Sequence, residues 1–205
     1  MAFAAWCYQI FEEGTLSYHV QDCVDAEMNN PYESESIEHC LFFKNWIDAV
    51  QWHLEDVIRN PDIEPVTALN IKRRIDLLNQ RRTDLVECLD RYFLNKYSQV
   101  KIQADATLNT ESPAWAIDRL SILCLKIYHM QQEVQRKGVD RMHVKTCEEK
   151  LHVLLEQKRD LIEAIDQLFA DIEAGKKCMK VYKQMKMYND PSLNPILYNR
   201  REQRL

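Results

Sequence analysis

Residues 44 to 60, KNWIDAVQWHLEDVIRN, set two tryptophans, a histidine and three carboxylates among apolar side chains. At 100° per residue, Cys40, Phe43, Ile47, Val50, Leu54 and Val57 draw one apolar seam along a helix. Glu38, Asn45 and Asp56 fall nearly opposite, flanked by Phe42, Ala49 and Trp52, with His53 on one side and Arg59 on the other, while Asp48 and Glu55 lie between the two faces. A solvated face rarely spends Phe and Trp, so this second face is expected to be covered by another helix, a ligand or a second subunit.

Two further stripes carry matching chemistry. Lys72, Asp76, Asn79, Gln80 and Thr83 share one side of a helix, with Arg73 and Asp84 at its edge. Downstream, Asp118, His129, Glu133 and Arg136 form a stripe, and Arg119 and Lys126 sit seven apart beside it. Carboxylates and cations at comparable depth on neighbouring helices suit a phosphorylated ligand. Asp56, Asp76 and Asp118 would hold a magnesium ion, and Arg59, Arg119 and Lys126 would grip phosphate oxygens. Trp52, His53, Lys72, Arg73, Asn79 and His129 complete the expected ligand-binding set. The competing reading is an ion-pair network that fixes helix register and does no chemistry.

Other chemistries find less support. His53-Leu54-Glu55-Asp56 places neighbouring side chains about 100° apart, and His53 belongs to no HExxH or ExxH spacing, which favours carboxylate-bound magnesium over zinc. His19 and Asp22, three apart, suit a metal or a simple pair. There is no glycine-rich phosphate loop and no nucleophile elbow, so helix-borne carboxylates are the only catalytic material. Carboxylate-lined bundles that hydrolyse nucleoside triphosphates offer an analogy at the level of fold alone, and whether this chain is an enzyme stays open.

The elements that must position these residues read as an all-α bundle. Three glycines and six prolines in 205 residues disfavour turn-hungry strand folds, and 46% hydrophobic content suffices for a core. Residues 2 to 12 and 15 to 28 read as two short helices broken at Gly14, and Asn30-Pro31-Tyr32-Glu33 as the start of a long helix reaching about Arg59. Another runs from about Pro65 to Tyr97. Ser112-Pro113 opens a third that lasts to about Arg136, and a fourth follows Gly138 to about Glu173. The expected organisation is one bundle domain over residues 1 to 175, with hairpins at about 31 to 97 and 112 to 173, and a tail over 176 to 205.

That tail holds eight Lys/Arg against two acids, a charge of +6, which leaves -11 on the first 175 residues. It reads as a basic helical piece followed by an extended segment, with Ile196, Leu197 and Tyr198 tethering it to the bundle. A protein partner could use this tail, whereas the acidic body argues against a nucleic-acid footprint. Seven scattered cysteines without a CxxC pair argue against a disulfide framework and fit a reducing cytoplasm. The N-terminus does not resemble a signal peptide, and no apolar run approaches the roughly 20 residues a membrane span needs.

The hairpins resemble each other. At a constant offset of 76, Glu35-Ser36 falls on Glu111-Ser112, His53 on His129, and DLVECLDRYF (84 to 93) on DLIEAIDQLF (160 to 169). Internal duplication would give a quasi-two-fold four-helix bundle in which each hairpin covers the other's apolar face.

QWHLEDVIR (51 to 59), KRRIDLLNQRRTD (72 to 84) and NTESPAWAIDRLSILCLKIYHM (109 to 130) resemble, in order, the bacterial family called domain of unknown function 4254. The likeness spans about Asn30 to Phe169, and YNDPSLNP near the end is similar to the Bacteroidetes branch. Other members carry Gly after the proline of the third motif, where Ala114 stands here. The resemblance implies a helical cytoplasmic protein, often encoded near cell-surface polysaccharide genes, without an established activity. Its polar motif positions correspond to Trp52, His53, Glu55, Asp56, Arg59, Lys72, Arg73, Asp76, Asn79, Asp84, Glu111, Asp118, Arg119, Lys126 and His129.

Overall fold

The computed structural model describes residues 2–185, 187 and 190–202, without the side chains of 200–202. Six helices dominate it: α1 (Phe3–Gln21), α2 (Ile37–Val57), α3 (Pro65–Lys96), α4 (Pro113–Gln135), α5 (Arg141–Glu173) and α6 (Pro195–Glu202). Two-residue strands β1 (Thr107–Leu108) and β2 (Lys177–Cys178) pair in parallel. No described helix is long and apolar enough to cross a membrane, and all seven cysteines are free thiols.

Local chemistry sets most boundaries. Ser36 accepts from His39 N and Ser112 from Trp115 N, so the same residue type caps α2 and α4. Glu64 accepts from Val66 N and Thr67 N ahead of Pro65, and Asp140 accepts from Met142 N and His143 N at the head of α5. The expected start at Asn30 is corrected: Asn30 Oδ1 accepts from Tyr32 N in a local turn, and the helix begins six residues later at the Ser36 cap.

The expected break at Gly14 is also corrected. Helix α1 runs straight through it, and Gly14 is buried. A Cβ there would sit 2.9 Å from Asn45 Oδ1, so the missing side chain lets α1 approach α2. Helix α1 packs on α2, α4 and α5, and Asp166 Oδ1 on α5 accepts from Ala4 N at 2.9 Å, satisfying one of the orphan donors of its first turn.

Helix α2 packs on α1, α3 and α4. Leu41, Phe42 and every residue from Lys44 to Val50 are buried, so the middle of both the apolar seam and the polar face is covered, while Asp56 and Arg59 at the end of the polar face are exposed. The seam's ends differ from its middle: Ile47, Val50 and Leu54 are buried, whereas Val57 is exposed. Helix α2 packs on α3, and α4 on α5. Four contacts join residues 76 apart. Asn45 Nδ2 donates to Ser121 Oγ at 3.0 Å, and Tyr97 Oη donates to Glu173 Oε1 at 3.2 Å. The rings of Phe93 and Phe169 lie 4.9 Å apart, and those of His53 and His129 5.4 Å apart.

Beyond α5 the chain departs from the expected order of helix, then extended tail. Gly175, at φ +69°, closes α5 in the left-handed region, and any side chain on it would strike the Lys101 carbonyl. Strand β2 follows, residues 179–185 are not helical, and the later helix α6 starts at Pro195. Ile196, Leu197 and Tyr198 are exposed instead of packed on the bundle. Tyr188 and Asn189 of the YNDPSLNP stretch lie outside the described residues.

Candidate functional site

The most buried polar chemistry starts at Lys44, in the second turn of α2. Its side chain is fully buried, pairing with Asp48 one turn along and with Asp118 Oδ1 of α4 at 2.8 Å. Ser121 Oγ donates to Asp48 Oδ2 at 2.7 Å. From α3, Arg82 donates through Nε to Asp118 Oδ1 at 2.8 Å and through Nη2 to Asp118 Oδ2, and its Nε lies 3.4 Å from Asp48 Oδ1. Two cations and two carboxylates from three helices thus close a neutral quartet. Asn45 extends it: its Oδ1 accepts from Thr15 on α1 and its Nδ2 donates to Ser121.

The two carboxyls are driven apart. Burial pushes Asp48 above the usual carboxylate range, more than Lys44 and Arg82 pull it down. Burial acts on Asp118 in the same sense, but the Lys44 ammonium and the Arg82 guanidinium hold it below that range. Burying such charges is costly unless every partner is present, so the quartet forms a stiff base for what lies above it.

Arg82 is where that base meets solvent. It lines a cavity of about 660 Å³ together with Asp118, Arg119, Ile122, Leu123, Lys126, Gln157, Asp160, Leu161 and Ala164. It also lines a second cavity, of about 290 Å³, with Asp48, Gln51, Trp52, Glu55, Asp56, Arg59 and Ile122. Arg82 and Ile122 are common to both, which makes one cleft with two lobes. The larger lobe holds three cations against two carboxylates, and the smaller holds two cations against three.

The sequence-expected residues divide three ways. Asp118, Arg119 and Lys126 come together in the larger lobe, and Trp52, Asp56 and Arg59 in the smaller. Arg119 is exposed and pairs with Glu111; Arg59 pairs with Glu55 at 3.2 Å. His53 and His129 form a separate aromatic group with His19, and Trp52 stacks on His129 at 4.8 Å with 10° between the planes. Lys72, Arg73 and Asp76 line neither lobe: Lys72 pairs with Asp76 one turn along, and Arg73 is exposed. Asn79 accepts from Gln51 Nε2 at 2.9 Å behind the smaller lobe.

The expected magnesium triad is not gathered. Asp118 spends its oxygens on Lys44 and Arg82, Asp76 belongs to Lys72, and Asp56 stands at the smaller lobe. Among the described residues, the groups whose ligating atoms lie within 4.8 Å of one another are His19, His53 and His129, and Glu133, His143 and Cys147. Lys44 and Arg82 are absent from the expected set altogether. The signal for Lys44 was its place four residues before Asp48 inside an otherwise apolar run, where an isolated Lys needs a partner.

The fold and site together define an all-helical bundle whose charged interior opens on a two-lobed cleft. The chain belongs to the family described as "Protein of unknown function (DUF4254)", whose model matches residues 38–181, from the first turn of α2 to just past β2. No curated protein and no solved structure matches the chain.

Proposed function

We propose that the cleft binds a phosphorylated small molecule, with phosphate in the larger lobe and a hydroxyl-bearing group such as a sugar in the smaller. The observation that carries this reading is the position of Arg82, gripped by Asp118 with two of its five N–H groups and still facing both lobes. Arg119 and Lys126 add charge around the larger lobe, and Lys126 has no ion-pair partner among the described residues. Phosphate oxygens suit such preorganised cations, and Ile122, Leu123, Leu161 and Ala164 supply the apolar wall common in ligand clefts. In the smaller lobe, Glu55 and Asp56 can accept from hydroxyls while the Trp52 ring offers a flat apolar face. A nucleotide sugar combines both requirements.

The test is thermal unfolding with inorganic phosphate, pyrophosphate, a sugar 1-phosphate and a nucleotide sugar. Phosphorylated probes are expected to raise Tm in the wild type and much less in Lys126→Ala. Asp56→Asn is expected to lose only the extra shift given by the sugar. No shift with any of them overturns the reading. Phosphate release assayed alongside decides between binding and hydrolysis.

A second reading draws on the tail, where Tyr182, Met185 and Ile196 are largely exposed beside the basic residues. In that reading the protein is a scaffold, and capture of a defined protein partner that depends on residues 176 to 205 supports it. The four contacts between residues 76 apart support descent of the two hairpins from one duplicated unit, since copies related by a quasi-two-fold axis meet their own counterparts along it. Seven free thiols accord with a reducing cytoplasm.

A further inference from the structure

We propose that His19, His53 and His129, with Asp22, form a site for a divalent first-row transition ion, zinc before others, that fastens α1 to the α2–α4 pair. One ring nitrogen from each histidine lies within 4.8 Å of the others. His53 Nε2 is 3.2 Å from His19 Nε2 and 3.5 Å from Asp22 Oδ1. A tetrahedral ion with ligands at about 2.0–2.1 Å separates them by roughly 3.3–3.4 Å, so both spacings are edges of such a tetrahedron.

Three further observations point to a ligand. His19 Nδ1 lies 2.6 Å from the Thr15 carbonyl, and donation there leaves Nε2 as a lone-pair donor, the orientation that an outer hydrogen bond imposes on a ligating imidazole. His129 Nε2 is buried and has no hydrogen-bond partner. Asp22 is the one non-glycine residue at positive φ, 49°, among the described residues, and this turn at the end of α1 keeps its carboxylate beside His53. A simple hydrogen bond between His19 and His53 explains their approach but leaves the His129 nitrogen unsatisfied. Imidazole donors select zinc, cobalt, nickel or copper over magnesium and calcium.

The second cluster is different. His143 Nε2 already lies 3.0 Å from Glu133 Oε2 and 3.5 Å from Cys147 Sγ, so its members satisfy one another. The proposed site goes beyond the phosphate reading, because it uses neither Arg119 nor Lys126. It also draws His19 and Asp22 from outside the residues that match the family.

The experiment is a cobalt titration of the chelator-stripped full chain. The expected result is one Co²⁺ per chain with the intense visible absorption of a tetrahedral ion, displaced by zinc. Affinity should fall by about tenfold or more in His53→Gln and in His129→Gln and be unchanged in His143→Gln. Should the variants fail to fold, imidazole nitrogen resonances of the wild type serve instead, and zinc is expected to shift those of His19, His53 and His129. Absence of stoichiometric metal, affinity unchanged in both variants, or zinc shifts confined to other histidines overturns the proposal. Phosphate probes take no part, so this result and that for the cleft stand or fall separately.

Discussion

His53 and His129 face each other with ring centroids 5.4 Å apart, at the same sequence separation of 76 that relates Asn45 to Ser121. One ring comes from α2 and the other from α4, and α1 adds His19 beside both. Burial together with the neighbouring imidazoles disfavours charging of His19 and His129, which gives the fold a definite response to acid.

His129 is lowered to about 4, first by burial, then by repulsion from His19 and His53, against the pull of Asp56 and Asp22. Unfolded, it titrates near 6.5. Between those values the unfolded chain takes up a proton that the folded chain refuses. Stability from this group is complete above about pH 6.5 and is lost as pH falls towards about 4. In chelator-treated protein, Tm is expected to decline across that window, and His129→Phe, which keeps a ring against Trp52, is expected to decline less steeply. Equal slopes in the two proteins would refute this origin.

The Lys44–Asp48–Asp118–Arg82 quartet sets a different expectation. Asp118→Asn leaves a fully buried Lys44 with one carboxylate fewer, and breaking a buried pair from one side costs about 3–5 kcal/mol. Arg82 is about a quarter exposed, so Arg82→Met is expected to cost less. Urea unfolding measures both, and the order Asp118→Asn worse than Arg82→Met is the informative outcome.

At Gly14, two effects compete. Alanine is the better helix former by about 1 kcal/mol. Its Cβ, however, meets Asn45 Oδ1, the atom that accepts from Thr15. Overpacking costs about 1–3 kcal/mol, and a displaced buried amide adds a similar amount. Gly14→Ala is therefore expected to destabilise, and a neutral or raised Tm would show that α1 moves aside freely.

Gly14 also shows what was legible in the sequence. As a local signal glycine reads as a helix breaker, and only the approach of α1 to Asn45 reveals it as a contact point. The four long helices were readable because caps, prolines and apolar spacing agree. The start of α2 was misplaced, although the sequence likeness at an offset of 76 pairs Ser36 with Ser112, and these two serines cap α2 and α4. Arg119 and Lys126 of the larger lobe and the aromatic–acid face of α2 were readable from helical angles. The quartet was not, because Lys44 and Arg82 each find their partners across helices, and angles on one helix cannot supply depth on another. His19 was legible only with Asp22 on its own helix, because its imidazole partners His53 and His129 lie on α2 and α4.

The most direct measurement of the central claim is a calorimetric titration of pyrophosphate into the wild type and into the Arg119→Ala/Lys126→Ala double variant. Binding of one pyrophosphate per chain in the wild type, weakened by about a hundredfold when the two cations are gone, is the expected result. Equal affinity in both proteins, or no saturable binding to the wild type, would contradict a phosphate site in the cleft.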